Sequence, residues 1–145
     1  MKQALHIITT LLIAILVLSC DKTDDVAEIF NGQRFKITGL TYNGIKSVKE
    51  VKEFYESDNI YWVTFSSHTF HGTLQAGTNI EGAWTAEGKN RRMTISFNGD
   101  TTTDGMSELC RLVYLTLRGA TYYSGDKNVM RIYKDNDSYV DMSSL

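Results

Sequence analysis

Between Ile60 and Phe97 the chain repeats one pattern: a short run of aromatic and β-branched residues, then a break made of small or polar ones. Ile60 to Phe65 and Thr69 to Leu74 flank Ser66-Ser67-His68; Gly82 to Ala86 follows Ala76-Gly77-Thr78-Asn79; Met93, Ile95 and Phe97 alternate with Thr94 and Ser96 after Gly88-Lys89-Asn90. Runs this short, with breaks this frequent, predict antiparallel strands joined by tight turns. The chain has no proline to interrupt them. Phe30 to Leu40, with Phe35, Ile37 and Gly39 alternating against Arg34, Lys36 and Thr38, reads as a preceding strand. Ala120 to Tyr123, Asn128 to Lys134 and Ser138 to Met142 read as closing strands, linked by Ser124-Gly125-Asp126-Lys127 and Asp135-Asn136-Asp137.

Two segments carry helical spacing. Met106, Leu109, Cys110, Val113 and Leu117 share one face at 100° per residue, which predicts a helix over about 106–118. Asp104 is placed to cap its start, and Gly119 to end it in a left-handed conformation. Leu112 to Leu117 also reads as a buried strand. A shorter amphipathic segment over about 46–56 places Val48, Val51, Phe54 and Tyr55 together. The fold class expected is therefore mainly β (α+β): a curved antiparallel sheet or small barrel with one packed helix and a short helical segment.

The N-terminus is of another kind. Met1 and Lys2 precede an apolar run from about Leu5 to Leu18, then Ser19 and Cys20. This is the layout of an export signal, and the run is shorter than the roughly 20 residues of a membrane-spanning helix. Leu16-Val17-Leu18-Ser19-Cys20 resembles the lipobox of bacterial lipoproteins, which implies cleavage between Ser19 and Cys20 and lipid attachment at the Cys20 thiol. An ordinary secretory signal with an incidental cysteine is the alternative; a core helix is disfavoured because the run is not amphipathic. Residues 20–29, with Asp21, Asp24, Asp25 and Glu28, read as a solvated acidic tether. That tail resembles the address some Gram-negative bacteria use for the outer face of the outer membrane; a plain linker is the other reading. Residues 1–19 are expected to be a signal peptide and 30–145 a single domain. The location expected is the bacterial cell envelope, as an outer membrane lipoprotein on its periplasmic or cell-surface face.

Loss of residues 1–19 leaves 126 residues, enough for one core. Lys2 goes with them, leaving 14 basic and 17 acidic residues and a formal charge of about −3, which disfavours nucleic acid as a partner. Lys89-Asn90-Arg91-Arg92 is the densest basic spot and reads as a turn rim. With Cys20 committed to lipid, Cys110 has no cysteine left to pair with and reads as a packed thiol.

The stretch Phe65 to Trp84, with Phe70, Gly72, Ala76-Gly77-Thr78-Asn79 and Gly82-Ala83-Trp84, resembles the core motif of META-domain lipoproteins, the HslJ-like family. Met93 to Phe97, Met106 to Cys110, the helix and Val129 to Ile132 follow in that family's order. Thr78 stands where the family has a cysteine, and its Met-x-Cys element is stretched between Met106 and Cys110. The resemblance implies a mainly β envelope domain without demonstrated catalysis, linked to stress tolerance.

No constellation in the sequence calls for a reaction or a cofactor. His68 and His71 are three apart, which on one strand puts them on opposite faces. Asp135, Asn136, Asp137 and Asp141 lack the glycine and distal glutamate of a calcium loop. No catalytic, cofactor-binding or metal residue is assigned, and the chain is expected not to be an enzyme. The partners expected are the membrane, through lipid at Cys20, and an unknown envelope protein, a glycan or an apolar ligand. A lipocalin-like carrier is the alternative, on the supply of Tyr61, Trp62, Phe65, Phe70, Trp84, Phe97, Tyr122, Tyr123 and Tyr133. A glycan contact through Trp62 or Trp84 is another.

Overall fold

Alternation along the strands decides the architecture. In the computed structural model, which describes residues 26–46, 51–99 and 102–145, every second strand residue points into a shared interior. The leader, Cys20 and the first part of the tether lie outside the described residues, as do 47–50 and 100–101. The elements are α1 (Val26–Phe30), β1 (Arg34–Tyr42), β2 (Ile45–Lys46), α2 (Val51–Tyr55), β3 (Trp62–Phe65), β4 (Thr69–Gln75), β5 (Thr78–Glu87), β6 (Arg92–Phe97), α3 (Glu108–Arg118), β7 (Tyr122–Gly125), β8 (Val129–Asp135) and β9 (Ser138–Ser144).

Strands β1 and β3 to β9 pair antiparallel in sequence order, and β9 returns to pair with β1, closing an eight-stranded barrel. Strand β2 only extends the β1 hairpin. On β5, Ile80, Gly82 and Trp84 face inward while Asn79, Glu81, Ala83 and Thr85 face out. An eight-stranded barrel has an interior just wide enough for side chains. Here Phe35, Ile37, Leu40, Val63, Phe65, Leu74, Met130, Ile132, Val140 and Met142 fill it.

Each end is shut by a helix. Helix α1 drives Phe30, fully buried, among Phe65, Trp84 and Tyr123, with ring centroids 5.2, 5.0 and 5.1 Å away. Phe30 is therefore the last residue of a helical turn and does not begin the first strand, and the described part of the segment read as tether, from Val26, is helical, with Ile29 buried. At the other end α3 touches β1, β4, β6, β8 and β9. Those strands stand on opposite sides of the barrel, so the helix lies across the opening. Phe54 of α2, 4.8 Å from Tyr61, completes that lid.

Helix α3 is capped by Ser107, whose Oγ accepts from the Cys110 N–H at 3.1 Å, and not by Asp104. Gln75 braces the cap, accepting from the Ser107 N–H and donating to the Gly105 carbonyl. Gly119 has φ −92°, so it does not need the left-handed region; a Cβ there would lie 2.8 Å from the Lys134 stem, so lack of space accounts for the glycine. The helical segment expected over 46–56 is found as α2, Val51–Tyr55; Lys46 belongs to β2, and residues 47–50, with Val48, lie outside the described residues. The turn before β5 is Ala76-Gly77, with Gly77 at φ 81°, and Thr78 already belongs to the strand.

Candidate functional site

Of the aromatics that suggested a ligand pocket, Tyr61, Phe65, Phe70, Trp84 and Tyr123 are buried in the barrel, while Trp62, Tyr122 and Tyr133 lie on its outer wall. Trp84 donates its indole N–H to the carbonyls of Ser66 and Thr69 at 2.7 and 3.1 Å, which fixes it inside and removes it as a sugar contact. Phe97 packs on Phe70 and Tyr114 at 5.1 and 4.7 Å. The interior is thus occupied by the protein's own side chains.

The outer wall is different. Trp62, Thr73 and Asn79 lie abreast on β3, β4 and β5 through the pairs Trp62–Thr73 and Thr73–Asn79, and Thr64, His71 and Glu81 form the next row. Trp62, His71, Thr73, Asn79 and Glu81, together with Asn98, border an open concavity of about 450 Å³. Arg34 lies over the Trp62 ring at 4.2 Å, and His71 meets it edge-on at 5.6 Å. Thr73 Oγ1 donates to Asn79 Oδ1 at 2.9 Å, and the Trp62 N–H donates to the Asn59 carbonyl at 3.1 Å. One indole flanked by hydroxyl, amide, carboxylate and imidazole groups offers hydrogen bonds in both senses beside an apolar plane.

A second outer patch runs over β7, β8 and β9. Tyr122 and Tyr133 stack with centroids 4.2 Å apart, Tyr139 follows at 5.3 Å, and Arg131 lies 4.0 Å over the Tyr139 ring. Arg131 Nε donates to Asp141 Oδ1 at 2.6 Å, and this carboxylate holds the guanidinium above its ordinary pKa. The absent side chain at Gly39 leaves room for Asp141, which sits 3.2 Å from where a Cβ would be.

The remaining candidates are scattered. His68 lies in the β3–β4 turn and His71 on the outer wall. Asp135 accepts from the Asp137 N–H within the β8–β9 hairpin, while Asp141 is committed to Arg131. Among the described residues no three histidine, cysteine or acidic side chains gather as a metal site. Cys110 is fully buried, and burial pushes its thiol up to about 11. Arg91 donates to the Gly125 carbonyl at 3.0 Å and lies over Tyr123 at 5.3 Å, so the basic turn 89–92 is partly spent on holding β7. Ser19 and Cys20 lie outside the described residues.

Sequence reasoning missed Lys36. Almost fully buried on β1, its ammonium donates to the Ser57 and Ile60 carbonyls at 2.6 and 2.5 Å and ties the loop after α2 to the barrel wall. Burial lowers its pKa. A lysine at an outward strand position gives no signal in sequence that a loop will cover it.

Among known proteins, residues 21–143 match a family model described as a domain of unknown function, DUF4847. A solved structure of a DUF4847 family protein from Bacteroides vulgatus ATCC 8482 is similar at 24% identity, covering 81% of this chain and 96% of that one, with a TM-score of 0.61. No curated protein matches. Neither match bears on the META-like resemblance, whose Gly72 and Gly82 face into the barrel and whose Trp84 fills it. The family match takes in every residue from β1 to β9 except Ser144, and the chain belongs to the DUF4847 family.

Proposed function

We propose that this is a lipid-anchored, non-enzymatic module of the bacterial envelope that meets its partner with the outside of its barrel. The observation that carries the reading is the filled interior: Phe30 and α3 close the two ends, and a ligand would have to displace packed aromatics to enter. Dense interiors resist such insertion. Anchoring rests on the sequence Leu16 to Cys20, since a doubly or triply acylated cysteine holds a protein at a bilayer without any spanning segment. Radiolabelled palmitate should enter the protein, and Cys20→Ala should leave the membrane fraction. Label absent from the wild type, or a variant that stays with the membrane, overturns the anchor.

A second reading is favoured by the concavity at Trp62. Its mixed polar border suits a glycan, whose ring stacks on an indole while its hydroxyls exchange hydrogen bonds. On a glycan array the wild type should bind and Trp62→Ala should not; equal signals dismiss the site. Native mass spectrometry separates both readings from a carrier: an apo mass fits wall contact, and a retained apolar molecule argues for a lipocalin-like role.

A further inference from the structure

The Trp62 concavity belongs to the glycan reading, and nothing indicates an occupant for the Tyr122–Tyr133–Tyr139 patch. The end of the barrel that carries α1 is better determined. In this topology the β3–β4, β5–β6 and β7–β8 turns, the start of β1 and the end of β9 all lie at that end. The contacts agree: His68 and Asn31 border one cleft there, while Glu28, Ile29, Arg91 and Lys127 border another.

We propose that this end is a membrane-docking surface, seated on the headgroup layer of the bilayer that carries the anchor. The inference rests on the lipid-anchor reading. Its first support is reach. Cys20 precedes Val26 by six residues, a span of at most roughly 20 Å when fully extended. A seven-residue strand such as β4 rises roughly 23 Å, and barrel tilt brings that to roughly 17 Å of wall height. An inverted barrel would use nearly the whole span running along its own wall, whereas the α1 end reaches the bilayer at once.

The second support is the chemistry of the rim. Val129, at the start of β8, and Leu145, whose N–H donates to the Arg34 carbonyl, are 64% and 61% exposed at this end, although Ile45 and Tyr55, 73% and 60% exposed, leave the opposite end equally apolar. Lys89 in the β5–β6 turn and Lys127 in the β7–β8 turn supply cations at this end, Lys127 lying 3.7 Å from Glu28, whereas the Arg34 guanidinium is turned onto Trp62. Interfacial surfaces combine these features, with apolar groups sinking into the headgroup and acyl boundary and cations meeting phosphates. Glu28 and Asp126 at the same rim, with Asp21, Asp24 and Asp25 before it in sequence, oppose the charge term, so reach carries more of the orientation than rim chemistry.

The test uses the full, lipidated chain purified from its host's membranes and reconstituted in vesicles of phosphatidylethanolamine and phosphatidylglycerol with brominated acyl chains. A fluorophore is placed by Asn128→Cys at the α1 end or by Asn136→Cys in the β8–β9 turn at the opposite end; Cys20 is acylated and Cys110 is buried, so neither competes. Docking predicts loss of fluorescence at 128 and none at 136, and restoration of the 128 signal by Val129→Asp with Lys127→Glu while the protein still floats with the vesicles. Equal quenching at both positions, none at either, or quenching confined to 136 overturns the docking with the anchor intact. A wild type that fails to float overturns the anchor, and the docking falls with it.

Discussion

The Phe30 ring, carried in by five residues of helix ahead of the first strand, lies 5.0 Å from the indole of Trp84. A residue outside the barrel's hydrogen-bonded wall thus fills the space at the centre of one of its ends. Phe30→Ala should destabilise the protein by about 3–5 kcal/mol, as expected for an emptied aromatic site. Urea unfolding checks it. A loss under about 1 kcal/mol would mean that α1 is an ornament.

Gly82 faces inward opposite Phe70, and a Cβ there would collide with the Ser96 carbonyl oxygen on β6 and lie 2.8 Å from the Phe70 ring. Gly82→Ala should cost about 1–3 kcal/mol through overpacking. The contrast is Gly32, where a Cβ would meet nothing and only the φ of 72° resists. Thermal unfolding of the two alanine variants should show the larger drop at Gly82, and Phe70→Leu should not restore it, because the Ser96 carbonyl belongs to the backbone.

Ser107→Ala removes the Oγ that accepts from the Cys110 N–H and should cost about 1 kcal/mol, whereas Asp104→Ala should be close to neutral. Chemical denaturation of both variants decides between the two caps.

Alkali should loosen the fold. Burial raises Cys110 from 9.0 to about 11 and Tyr61 from 10.0 to about 12. The unfolded chain therefore ionises first, and stability that is whole below about pH 9 falls as pH rises toward about 12. Lys36, lowered by burial, works in the opposite sense, so the informative quantity is a difference. The unfolding midpoint of Cys110→Ala should fall less steeply than wild type between about pH 9 and pH 11. Parallel slopes would remove Cys110 from the account.

Where the sequence was readable, local chemistry decided the outcome. The Ala76-Gly77 and Asn136-Asp137 turns, the alternation on β5 and β8, and the apolar face of α3 are written in neighbouring residues. Closure was not, because the β1–β9 pairing joins residues about a hundred positions apart, such as Leu40 with Val140. Helix α1 was hidden by its length, since one turn has too few positions to show a period. Trp62 and Trp84 look alike in sequence, yet register sends one out and one in; the row Trp62, Thr73, Asn79 exists only because two hairpins fix it.

The return of β9 to β1 has a consequence for copies crowded together. Each of the eight barrel strands has two neighbours, so among the described residues backbone groups left without a strand partner are confined to β2 and to the seam where β6 and β7 meet through the single pair Arg92–Tyr122. Copies of this domain brought together therefore meet wall to wall, and specificity between them is written mainly in side chains.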